Sequence, residues 1–154
     1  MMSKEKSEKM KSQHSLRELA TEHPDEQMRR TGWMHLKSLG LETAEDWIYE
    51  EAIRELTQVG SPSQRLGSKL EELKYRMKRD GTVGIEEEIH VVGENITDET
   101  LIDEYNLLLA DFYVQQRSND KAVKVLREVI SQGRSNHNTQ LARIKLAQLL
   151  KEEQ

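Results

Sequence analysis

Residues 101–133, LIDEYNLLLADFYVQQRSNDKAVKVLREVISQG, decide the fold. Leu101, Tyr105, Leu108, Leu109, Phe112 and Tyr113 recur at steps of three and four, the period of one helix face. The polar run Gln116-Arg117-Ser118-Asn119 interrupts them. Ala122, Val125, Leu126, Val129 and Ile130 then resume the same period up to Gly133, a residue type that favours the left-handed helix stop. The stretch predicts two helices joined by a tight turn. Thr97 is the expected cap of the first, with Asp98 and Glu99 against the positive end of its dipole.

Toward the C-terminus, a third helix is expected from about Asn138, burying Leu141, Ile144, Leu146, Ala147 and Leu150. Toward the N-terminus, residues 82–96 form an acidic linker in which Gly84 and Gly93 break the pattern. Ile85, Ile89, Val91 and Val92 give it enough β-branched content for one short strand or a small hairpin. Before it, Ser61-Pro62-Ser63-Gln64 reads as a capping box with proline at the first helical position, followed by Leu66, Leu70, Leu73 and Met77 on one stripe. Thr43-Ala44-Glu45-Asp46 opens a helix carrying Trp47, Ile48, Ala52, Ile53, Leu56 and Val59, which Gly60 ends. A helix over 24–39 with Met28, Trp33, Met34 and Leu36 inside is closed by Gly40, and Ser15-Leu16-Arg17-Glu18 caps a short one before it. Residues 1–14 are expected to be a disordered basic tail. The chain is thus all-α, with a helical module over 15–81 packed with a helical array over 97–154.

The spacing within that array resembles a tetratricopeptide repeat. Leu109-Ala110 supplies the large-small pair, Tyr113 follows three residues after the alanine, and Ala122 precedes Leu126 by four. Small residues at 110 and 122 allow two helices to approach closely. Asn106 stands where the family prefers tryptophan and Arg134 where it prefers proline. Leu146-Ala147 repeats the large-small pair 37 residues after Leu109-Ala110, against a period of about 34. One and a half repeats bury no continuous core alone, so the resemblance implies packing against residues 15–81 or against a second chain, with a homodimer left open.

Composition narrows the function. The chain has 154 residues and no cysteine, which excludes disulfides, thiolate metal sites and cysteine nucleophiles. No apolar run reaches the roughly 18–20 residues of a membrane span, and the N-terminal lysines precede no hydrophobic region, so a cytoplasmic location is expected. His14, His23, His35, His90 and His137 form no i, i+4 pair with a glutamate, and no glycine-rich phosphate loop or nucleophile elbow is present. No enzyme activity, cofactor or metal is expected.

The expected function is a non-enzymatic interaction module, an adaptor, chaperone or regulatory subunit that grips a peptide or helix of a protein partner. The resemblance implies a concave groove on the first-helix side, with Tyr105, Asn106, Tyr113, Gln116, Gln140 and Arg143 as its candidates. The alternative is nucleic-acid binding through the helix carrying Lys69, Lys74, Arg76, Lys78 and Arg79. Residues 61–81 carry six basic and three acidic groups, whereas 82–106 carry eight acidic and none basic. Docking of the basic helix on that acidic segment accounts for the same residues without nucleic acid.

Overall fold

In a computed structural model, which describes residues 3–152, the chain is helical throughout and no strand occurs among those residues. The helices are α1 (Lys4–Glu22), α2 (Glu26–Thr43), α3 (Asp46–Leu56), α4 (Pro62–Asp80), α5 (Glu86–Asn95), α6 (Ile102–Gln115), α7 (Asn119–Gln132) and α8 (Asn136–Glu152), with a 3₁₀ turn at Glu99–Leu101. The chain divides into two compact units, Met1–Glu72 and Leu73–Gln154, so the boundary falls inside α4 and not at residue 81.

In the first unit, α2 packs on both α1 and α3. Ala20, Trp33, Leu36, Ile48, Ala52 and Leu56 form its core. Glycine sets both helix crossings. A Cβ on Gly32 would stand 2.7 Å from the backbone nitrogen of Ala20, and one on Gly40 would stand 2.7 Å from that of Tyr49. Gly40 therefore does not close α2 as expected from the sequence. The helix runs on to Thr43 and is stopped by Ala44 in the left-handed region, at φ 56°. Thr43 consequently lies in α2 and not at the start of α3, whose cap position is Glu45. Met28, Met34 and Trp47, expected inside, are exposed. Trp47 instead lies under the guanidinium of Arg17, 5.2 Å from the ring centre.

α1 also begins earlier than expected, at Lys4 with the Ser3 hydroxyl as cap, so residues 4–14 are helical and Ser15-Leu16-Arg17-Glu18 lies mid-helix. The other start signal is realised in full. The Ser61 hydroxyl accepts from the Gln64 amide at 3.2 Å, and the Gln64 side chain accepts from the Ser61 amide at 2.8 Å. Arg30 ties this start to the end of α3. It donates to the carbonyls of Leu56 (3.0 Å) and Val59 (2.6 Å), and to Gln64 O (3.2 Å) and Ser68 Oγ (2.8 Å). A cation over the orphan carbonyls of a helix end is favourable. Burial lowers the Arg30 pKa, with the charge of Glu71 opposing, and the guanidinium remains a cation.

In the second unit, residues 82–96 contain neither strand nor hairpin but α5. Ile85, Ile89 and Val92, at steps of four and three, bury one side. Glu86, Glu87 and Glu88 occupy the first turn, where carboxylates suit the dipole. The β-branched residues thus serve a helical stripe. Asp98, one residue after the expected Thr97, caps the 3₁₀ turn by accepting from the Thr100 amide at 2.9 Å. α6 packs on α7 and α7 on α8 around Leu107, Ala110, Ala122, Leu126, Val129, Ala142 and Leu149. Gly133 ends α7 at φ 56°, as its position predicts.

Candidate interaction surface

The six groove candidates divide between two places. Tyr105 is half-buried, and its hydroxyl occupies the space where a Cβ on Gly93 would stand. Burial raises its pKa above the usual phenol value, with Tyr113 adding to the effect. Gln116 donates to the Thr82 hydroxyl at 2.6 Å. The Tyr113 ring tilts 57° against Phe112 at 5.8 Å, and the Lys121 ammonium lies 5.7 Å from its centre. Asn106 is partly buried beside them in sequence. Tyr105 is therefore engaged by Gly93 and Gln116 by Thr82 of the chain itself, with Gln116 still exposed.

Gln140 and Arg143 lie elsewhere, exposed on α8. They share one side of that helix with Ile144 (56% exposed), Ala147, Leu150 (39% exposed) and Lys151. The steps from 140 to 151 are three, one, three, three and one, the pattern of a continuous helical stripe. Ile144, Ala147 and Leu150, expected in the core, face solvent. The core side of α8 is a second stripe, Thr139, Ala142 and Leu149, with Leu146 partly buried alongside. α7 packs on the core stripe, and the second stripe faces solvent.

Ion pairs fix the register of α8 against its neighbours. Lys145 reaches Asp111 of α6 at 2.9 Å. Arg134, in the turn before α8, donates to Asp103 at 2.9 Å, and that carboxylate is only 2% exposed. The position where the repeat family prefers proline therefore holds the partner of a buried aspartate. Sequence periodicity carries no signal for such a pair, because its members are 31 residues apart.

The basic helix is partly neutralised. Arg76 makes a two-pronged bond to Glu88 (2.9 and 2.8 Å), Lys69 meets Glu72 at 3.0 Å, and Arg79 meets Asp80 at 2.7 Å. The hydrogen bond from Arg79 holds the exposed Asp80 carboxyl below its usual range, aided by the nearby cations. Lys74 and Lys78 are exposed. Arg76–Glu88 is the contact expected if α4 docks on the acidic segment. It removes a cation from the set a phosphate backbone would need. Among the described residues no group of three or more His, Asp or Glu is placed to hold a metal ion, and no helix is long and apolar enough to cross a membrane.

No family model, no curated protein and no solved structure matches the chain.

Proposed function

We propose that residues 98–152 are a tetratricopeptide-like array whose outer α8 face holds a helix of a protein partner, in an adaptor, chaperone or regulatory role without catalysis. The supporting observation is a difference between two positions that the repeat register makes equivalent. Ala110 on α6 is 1% exposed and shares a core with Ala122 of α7, which is 0% exposed. Ala147, 37 residues later at the same place in the repeat, is exposed, with Ile144 and Leu150 exposed beside it. A small residue at a helix crossing has its value when another helix lies against it. Covering the exposed part of Ile144 and Leu150 under such a helix contributes a fraction of the roughly 1.5–3 kcal/mol that full burial of such a side chain is worth.

Capture of the partner tests this reading. The affinity-tagged chain is recovered from its native host, in parallel with Ala147→Arg and with Lys124→Ala on the exposed side of α7. Ala147 is exposed, so the arginine variant is expected to keep the wild-type circular dichroism and melting temperature. A reproducible protein should accompany the wild type and Lys124→Ala, and its recovery should fall at least tenfold with Ala147→Arg. Recovery unchanged by the arginine, or no reproducible companion, contradicts the proposal.

A further inference from the structure

Resting on the α8 reading above, we infer that the occupant of this face is an amphipathic helix of another protein, with small and apolar residues down its centre and carboxylates along its flanks. The stripe of Gln140, Arg143, Ile144, Ala147, Leu150 and Lys151 spans about three turns, an a/d seam with Ala147 and Leu150 as apolar a and d positions. Its charged members are one arginine and one lysine, and it contains no carboxylate.

The array already shows how α8 and the turn before it are recognised. Lys145 is held by Asp111 and Arg134 by Asp103, each a carboxylate presented by the neighbouring α6. A helix laid on the adjacent exposed stripe meets the same chemistry in Arg143 and Lys151. A glutamate or aspartate opposite each would form exposed or half-exposed ion pairs. These contribute more to orientation, partner choice and rate of encounter than to affinity. The apolar contacts to Ile144 and Leu150, and the close approach over Ala147, supply the affinity.

The same charges disfavour a second copy of this face. Two α8 stripes set together, in either direction, bring four cations and no carboxylate into one seam, and like-charge juxtaposition rejects wrong partners. An uncharged apolar helix would leave both cations facing a surface that offers them nothing. An acidic amphipathic helix satisfies the apolar and the charged residues together.

The test uses the full chain, labelled with ¹⁵N, and two synthetic three-heptad peptides. Both carry alanine and leucine at the a and d positions. One has glutamate at e and g, the other lysine at those positions. The glutamate peptide should shift the amide resonances of residues 140–151 and bind at least tenfold more tightly than the lysine peptide, with the advantage shrinking as salt rises. Arg143→Glu with Lys151→Glu should reverse the preference. Equal binding of the two peptides, shifts that avoid α8, no binding of either, or an unreversed preference each overturns the inference. So does a light-scattering mass of two chains that Ala147→Arg returns to one, since a second copy would then be the occupant. Host capture separates the two levels. A partner lost with Ala147→Arg but kept by the double glutamate variant leaves the α8 site standing and removes its acidic occupant, whereas a partner kept by both removes the site.

Discussion

Arg134→Ala is expected to destabilise the chain by about 2–3 kcal/mol. The reason is what remains behind. The Asp103 carboxylate is almost wholly buried and takes a bond from Arg134 at 2.9 Å, so deleting the arginine strands a charge away from water. Breaking a fully buried pair this way costs about 3–5 kcal/mol. The estimate here is lower because the Arg134 side chain is 30% exposed, which lets solvent screen the pair. Asp103→Ala should cost less, about 1 kcal/mol, because the guanidinium it leaves can turn to water. Urea unfolding followed by far-UV circular dichroism measures both midpoints. The order is the test: Asp103→Ala equal to or worse than Arg134→Ala would show that the stranded carboxylate is not the dominant cost.

Gly40→Ala should destabilise by about 2 kcal/mol or more, against a helix propensity that favours alanine by about 1 kcal/mol. A Cβ there stands 2.7 Å from the Tyr49 nitrogen and 3.1 Å from its Cα, and backbone atoms cannot swing aside as a flexible side chain would. α2 and α3 must separate, loosening Leu36, Ile48 and Ala52, each at most 1% exposed. Ser38→Ala, two residues away on the exposed side of the same helix, is expected to be neutral or slightly stabilising. Both tryptophans of the chain, Trp33 and Trp47, belong to this unit, so their fluorescence follows its unfolding directly. A Gly40→Ala variant as stable as Ser38→Ala would contradict the crossing described.

Gly40 also shows where sequence reasoning stopped. Its local pattern, a glycine after an apolar run, is that of a helix end. What makes it a crossing point is Tyr49, nine residues away on the next helix, and local chemistry contains nothing of that contact. Signals complete within a few residues were legible: the reciprocal cap of Ser61 and Gln64, the left-handed stop at Gly133, and the all-helical class. The expectation of a short strand or hairpin in the 82–96 linker rests on its β-branched side chains, although Ile85, Ile89 and Val92 also fit one helical stripe and the three glutamates suit a helix start.

The candidate surface was legible in one respect only. Gln140 and Arg143 lie on it, but helical spacing alone places Ile144, Ala147 and Leu150 in the core, where the structure has them exposed. α8 has two overlapping apolar stripes, and periodicity reports both without saying which one α7 covers. Tyr105 and Gln116 have neighbours that spacing does not announce, because residues 93 and 82 of the chain lie beside them. Register arithmetic on α6 shows which side of the helix they share, not what lies against it.

The most direct measurement of the α8 claim is photo-crosslinking in the native host, with a benzophenone amino acid placed at position 147 in one strain and at 124 in another. Residue 147 should give a single prominent protein adduct that 124 does not. Adducts of equal intensity at both positions, or none at 147, would contradict a partner helix on this face.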